Sequence, residues 1–382
     1  LIRAREISPI EATQAYLDRI EEIDGKLNSY ITVCRSAALN TAEKVEEDVR
    51  SGNFKGPLQG VPYAVKDQFW TKGVLTTGGA KILDDFVPKE NATVVQRLSD
   101  VGAILLGKLN MSEFATGNSV YHHWGTPRNP WDLERNPGTS SSGSGAATAA
   151  FLCATSLGED TGGSIRNPAN NSGLVGLLPT YGLVSRYGML SATWSNDMPG
   201  PISRSVTDCA VTLKAIAGHD PKDRYSATRF VPDYLAGLNG DINGIRIGIV
   251  KEAIDADFIQ PEVKRTIETA IKHLSEIGAD VTNVSIPLLH YSAAVTRTIM
   301  EVEAASTHRS WLRTRPQDYE HNVLTDLLTG CIIPAELYYK AQKIRHLIRG
   351  QVISALDSVD VLVLPASSEP APKIKTKAGT ES

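Results

Sequence analysis

Three short segments of this chain hold residues whose types and spacing could do covalent chemistry. The first is Gly138-Thr139-Ser140-Ser141-Ser142-Gly143-Ser144-Gly145, which runs at once into the helix formers Ala146-Ala147-Thr148-Ala149-Ala150. A Gly/Ser-rich loop that opens into a helix aims backbone N–H groups at whatever lies before it, as a phosphate cradle or a hydrolase loop would. No lysine follows the loop, so the Walker sequence is absent, and a flexible linker would not lead straight into an alanine-rich helix. The second segment is Gly158-Glu159-Asp160-Thr161-Gly162-Gly163-Ser164-Ile165-Arg166-Asn167-Pro168-Ala169. Adjacent glycines before a serine let several N–H groups converge on one point, the requirement of an oxyanion hole. A tight turn between core strands would account for the glycines but would not call for Ser164, Asp160 and Arg166 beside them. The third is Lys66, delivered by a short strand in which Val61, Tyr63 and Val65 alternate.

A serine hydroxyl is a poor nucleophile and needs a base. The eight histidines (122, 123, 219, 273, 290, 308, 321 and 346) fall in no catalytic motif, and adjacency sends His122 and His123 different ways in a strand. There is no G-x-S-x-G elbow, and no serine is followed three residues later by lysine, which excludes two familiar serine-hydrolase arrangements. A lysine base distant in sequence remains.

Several elements must position these groups. Ser8-Pro9-Ile10-Glu11 reads as a capped helix start, followed by an apolar stripe of Ile10, Ala12, Ala15, Tyr16, Ile20 and Ile23. A second helix is expected over 36–50, so residues 1–55 form an N-terminal helical part. Further on, 93–101 reads as helix and 103–106 as a continuous apolar strand. Strands at 245–250 and 281–286 flank a helix over 261–277, and a helix over 335–356 precedes a strand at 359–365. Continuous apolar strands between helices predict an α/β fold whose sheet is covered on both faces. One domain over 1–382 is expected; the loop at 221–239 offers a place for a subdomain joint, but nothing in the sequence demands a boundary there.

Composition narrows the partners. Hydrophobic residues make up 41% and charged residues 21%, and the net charge of −4 gives no field for direct binding of nucleic acid. The four cysteines have no close pair, which removes zinc and CxxC redox chemistry and leaves reduced thiols. No stretch approaches ~18 uninterrupted apolar residues, and no leader pattern opens the chain, so a cytoplasmic enzyme without a membrane span is the default.

The segments around Lys66, Ser140 and Ser164 together resemble the amidase signature family, most densely over 60–66, 110–114, 129–150 and 158–188. The run GEDTGGSIRNPANNSGLVGLLPTYGLVSRYGM is the most specific part, and PTYGLVSRYG also resembles the A subunit of the tRNA-dependent glutamine amidotransferase. The resemblance implies an α/β domain with a central mixed, mostly parallel sheet. It also implies a Ser–cis-Ser–Lys triad in which Ser164 is the nucleophile, Ser140 the cis-serine and Lys66 the base. By the same resemblance the amides of Thr161, Gly162, Gly163 and Ser164 form the oxyanion hole, and Ser141, Asp160 and Arg166 hold the loops. Thr139 stands where the family usually has glycine before the cis-serine, Ser142 and Gly145 swap small loop residues, and Leu178 replaces a common lysine. The resemblance further implies a C-terminal segment beyond residue 382 that completes the sheet and lines the pocket.

The leading expectation is a stand-alone amidase that cleaves a small amide, ester or carbamate, urethanes included, through an acyl-enzyme and without metal or organic cofactor. The alternative is the glutaminase subunit of a tRNA-dependent amidotransferase, which works with partner subunits and grips its substrate carboxylate with an arginine near Arg345. A non-catalytic scaffold is the third reading. Substrate contacts are expected from Ala115, Thr116, Gly117 and Tyr121, and oligomeric state stays open, a homodimer included.

Overall fold

A computed structural model of the chain describes residues 1–116 and 122–374. Ser8 Oγ accepts the Glu11 amide at 3.0 Å while the Glu11 carboxylate accepts the Ser8 amide at 2.8 Å. This reciprocal cap starts helix α1 (Pro9–Leu27). Strand β1 (Tyr30–Val33) and helix α2 (Arg35–Arg50) follow. The N-terminal part is therefore not wholly helical; four residues are too few for a strand period to stand out.

The next elements are β2 (Pro62–Lys66), α3 (Thr93–Asp100), β3 (Ile104–Leu109), α4 (Ser142–Ala149), β4 (Thr155–Asp160) and α5 (Arg166–Ser172). After them come β5 (Val175–Gly176), β6 (Met198–Ser203) and α6 (Val206–Ile216). The strands form one sheet in the order β1-β3-β2-β4-β6-β5, with β2 parallel to both β3 and β4 and the other neighbours antiparallel. Alternation along the strands divides the core. Ala64, Ile104 and Leu106 pack with Leu17, Ala38, Val45 and Ala147 of α1, α2 and α4. Tyr63, Val65 and Leu157 pack with Leu98, Leu213 and Ile216 of α3 and α6. Each fully buried aliphatic side chain is worth ~1.5–3 kcal/mol, which is what holds helices on both faces.

Backbone contacts group the chain into two compact units. Among the described residues, the first comprises 1–116, 122–237, 307–326 and 373–374, and the second 238–306 and 327–372. The division at Gly237/Leu238 falls in the loop where the sequence offers a place for a joint. The second unit contains β7 (Arg246–Val250), α7 (Lys251–Ile254), α8 (Pro261–Glu276), β8 (Asp280–Val284) and the first part of α9 (Ser292–Thr314). It also holds the end of α10 (His321–Ile332), α11 (Ala335–Leu356) and β9 (Val361–Val363). Its three strands are parallel in the order β8-β7-β9. The strands thus lie in two sheets, and four of the seven strand pairings, β2·β3, β2·β4, β7·β8 and β7·β9, are parallel. The α/β class, mixed and mostly parallel, is as expected.

Within the first unit, residues 307–326 pack against Phe114. Its ring stacks on Trp311 at 5.5 Å and meets His308 edge-on at 4.4 Å. His308 Nδ1 shares a 2.8 Å hydrogen bond with the Tyr319 hydroxyl. Burial pushes the His308 imidazole down to about 4 from its ordinary 6.5. As pH falls, the unfolded chain therefore binds this proton first. The stability contribution is complete above the ordinary value and is lost between about 6.5 and 4, up to about 3 kcal/mol. His308→Phe should flatten this loss. Urea midpoints measured near pH 7.5 and pH 4.5 should converge in the variant, and an unchanged gap would sink the assignment.

Candidate active site

Because β2 and β4 are parallel neighbours, with Val65 opposite Leu157, their C-terminal ends lie at one edge of the sheet. That edge receives Lys66 from β2 and Glu159-Asp160 from β4. The N-terminus of α4 closes the third side, and Gly143 is what lets it approach. A Cβ there would stand 2.4 Å from the Ser29 carbonyl oxygen and 2.5 Å from the Asn110 nitrogen.

Lys66 is fully buried, and its Nζ donates to Ser140 Oγ at 2.7 Å. The peptide between Thr139 and Ser140 is cis. Lys66 Nζ also reaches Glu159 Oε2 at 3.0 Å, a carboxylate to which sequence reasoning gave no role. Burial drives the Lys66 ammonium below its ordinary range, and this outweighs the opposing pull of Glu159. A lysine so placed is inclined toward the neutral amine that a base requires. The overlooked signal was a glutamate on a strand, Thr155–Asp160, that is otherwise fully buried.

Asp160 organises the glycine turn. Its Oδ1 accepts the Gly163 amide at 2.7 Å, and its Oδ2 accepts the Ile165 amide at 3.1 Å. Arg166 grips both oxygens at 3.0 Å through Nε and Nη2. Burial raises the Asp160 carboxyl, but Arg166 and the two amides overcome it and hold it below the usual carboxylate range. Gly163 turns the chain at φ +137, where side chains are disfavoured. Its amide is committed to Asp160, so among the four amides expected to face an oxyanion it is the one already engaged. Ser141 ties the two loops together, its Oγ donating to the Glu159 carbonyl at 3.2 Å and accepting the Glu159 amide at 3.3 Å.

Ser164 is half-buried at the end of this turn, just before α5. Among the described residues its hydroxyl makes no hydrogen bond, so the Lys66–Ser140 contact is formed while the Ser140–Ser164 contact is not. Catalytic contacts that are long in the free enzyme commonly tighten only with substrate bound. Ala115 and Thr116 are buried at a 3-10 turn over Glu113–Ala115, and the Thr116 hydroxyl donates to the Glu113 carbonyl at 2.9 Å. Gly117 and Tyr121 lie outside the described residues. Arg345 sits on α11 in the second unit. Among the described residues no group of three or more His, Cys, Asp or Glu side chains could hold a metal, and no helix is long and apolar enough to cross a membrane.

The family model for amidases matches residues 11–382. The chain belongs to the amidase signature family. It is accordingly a hydrolase of the family that acts on carbon–nitrogen bonds. The chain is 42% identical to the A subunit of the glutamyl-tRNA(Gln) amidotransferase of Geobacter metallireducens, over 98% of its own length and 82% of the relative's. Among solved structures it is similar to one described as a vestigial protein complex that reveals the evolutionary origins of an s-triazine catabolic enzyme. That likeness has a TM-score of 0.93 at 34% identity and covers 100% of this chain and 82% of the other. The corresponding amidotransferase A subunit of Thermotoga maritima has a TM-score of 0.81 at 32% identity, covering 96% of this chain and 77% of that one.

The turn geometry carries a stability prediction. Asp160→Asn would place an amide donor against an N–H group and leave Arg166 unpaired. The urea midpoint should fall by the equivalent of about 3 kcal/mol at unchanged slope. A loss below about 1 kcal/mol would mean that Asp160 does not organise the turn.

Proposed function

We propose that the chain is an amide-cleaving enzyme in which Ser164 attacks the carbonyl, Ser140 relays its proton and the Lys66 amine receives it. The single observation behind this reading is the 2.7 Å contact between a fully buried lysine amine and Ser140, beside the glycine loop that carries Ser164. As Ser164 Oγ bonds to the substrate carbon, its proton passes to Ser140 and the Ser140 proton passes to Lys66. The amides of Thr161, Gly162 and Ser164 face the oxygen that gains charge, and each such donor is worth ~3–4 kcal/mol in the transition state. The relay then runs backwards to protonate the leaving nitrogen, and water releases the acyl group.

For the substrate, the glutaminase component of a tRNA-dependent amidotransferase is better supported than a stand-alone amidase. The support is identity of 39–43% to amidotransferase A subunits across 98–99% of the chain. On this reading the enzyme releases ammonia from glutamine, and partner subunits deliver the acceptor tRNA. The stand-alone amidase reading is favoured by one specific observation, the TM-score of 0.87 at 32% identity to a structure described as an amidase, against 0.81 for the Thermotoga maritima subunit. Ammonia release from glutamine should be measured with and without partner subunits, beside a panel of aryl amides and carbamates. Glutamine turnover that rises at least about tenfold with partners and disappears in Ser164→Ala is the expected result. Turnover of the panel alone would turn the assignment to the stand-alone enzyme, and unchanged turnover in Ser164→Ala would remove the nucleophile.

A further inference from the structure

Behind Lys66 the polar network continues through groups that the relay leaves idle. Glu159 Oε2 lies 3.0 Å from Lys66 Nζ, while its Oε1 lies 2.7 Å from Thr161 Oγ1. The same Thr161 oxygen is 2.7 Å from Asp197 Oδ1. A threonine hydroxyl has one hydrogen and can donate to only one of these carboxyls. The second contact is attractive only if that carboxyl supplies a proton of its own. Otherwise lone pairs of two oxygens face each other in a site closed to water. Both carboxylic side chains are buried, and like charges sharing such a site do not ionise together.

The position of that proton follows from the remaining contacts. Asp197 Oδ2 accepts the amides of Ala192 and Thr193, both at 2.9 Å, and the Ser191 hydroxyl at 2.5 Å. Its Oδ1 is the oxygen left to carry hydrogen, and it points at Thr161. Burial, together with the charge of Glu159, pushes the Asp197 carboxyl up to about 7, in the same direction. The row therefore runs from Asp197 Oδ1–H to Thr161 Oγ1–H to Glu159 Oε1, which leaves Glu159 Oε2 facing Lys66. Besides Glu159, the carboxyls of Asp197 and Asp160 act on Lys66; Asp197 is the protonated end of the row, and Arg166 neutralises Asp160 at 3.0 Å. Ser140 and Ser141, the side chains from the α4 side, are uncharged.

We propose that Glu159 is a positioning residue that takes the ammonium proton of Lys66, with Asp197 held protonated behind it through Thr161. The inference depends on the reading of Lys66 as the base. In the step, one N–H bond of the ammonium breaks, an O–H bond forms on Glu159 Oε2, and the electron pair stays on Lys66 Nζ. The free amine then accepts the Ser140 hydroxyl proton across their 2.7 Å contact. No proton enters or leaves the cluster, and its net charge is unchanged. A fully desolvated pair gains by this exchange, because two neutral partners avoid the cost of keeping two ions out of water. The competing arrangement is a fixed ion pair in which Glu159 keeps Lys66 charged.

The two arrangements differ in infrared signature and in the sign of a pH shift. Difference spectra between wild type and Glu159→Gln, at about pH 6.5, should show loss of one protonated buried carboxyl band that shifts in heavy water; Asp197→Asn should remove a different one. Labelling of Ser164 by a fluorophosphonate, followed against pH, should have its acid limb in Glu159→Gln at or above that of wild type, since glutamine imitates the protonated acid. A band that survives Glu159→Gln overturns the proposal. So does an acid limb that falls by about one pH unit or more, because an anion that held Lys66 charged would then have been removed. Glu159→Ser, smaller and uncharged, serves the same two readings should the glutamine variant not fold. If folded wild type takes no label at Ser164, the underlying triad reading fails instead.

Discussion

A lysine amine sealed from water, whose partners are one hydroxyl, one carboxyl and, at 3.4 Å, the Glu159 carbonyl, is the constraint around which this structure is arranged. An isolated ammonium in that position would cost several kcal/mol, so the surroundings must either pair it or neutralise it. Burial and Glu159 pull in opposite directions here, and burial prevails. A surface lysine at the end of a strand would be a solvated charge of no chemical use. Position in the middle of a sheet covered on both faces is what makes Lys66 different.

Next to it the fold solves the same problem in another way. Lys108 is also fully buried, but it donates to the Phe69 carbonyl and the Thr76 hydroxyl at 2.7 Å each and pairs with Asp67 at 3.2 Å. Asp67 in turn accepts the Thr77 amide at 2.7 Å. Those contacts tie the loop after β2 to the sheet, so this pair serves to hold backbone. Lys66, one residue from Asp67, instead reaches the Ser140 hydroxyl at 2.7 Å and Glu159, through its carboxyl at 3.0 Å and its carbonyl at 3.4 Å. Two buried lysines on adjacent strands thus divide the work, one fastening the loop and the other facing the serine.

The glycine turn shows why catalytic loops need charged anchors. Converging N–H groups repel one another, and they stay converged only if something negative gathers their neighbours. Asp160 does so from a buried position, with half-exposed Arg166 balancing its charge. Gly163 belongs to the anchored set, a division that a count of glycines does not reveal.

The chain by itself determined the kinds of group present and most of the elements that carry them. The α1 cap, α11 at 335–356 and the strand delivering Lys66 follow from local rules of capping and periodicity, which act within a few residues. The resemblance of the three separate segments around Lys66, Ser140 and Ser164 pointed to these residues together, and the structure brings the first two into contact. Tertiary structure alone decided that Glu159 faces Lys66, that Asp197 meets Glu159 through Thr161, and that the Gly163 amide is spent on Asp160. It also divided the strands between two sheets, since strand pairing joins residues far apart in the chain. Periodicity reports which face of an element is apolar; which buried acid lies 3.0 Å from which buried base depends on strand order and register, and these are fixed only when the sheet closes.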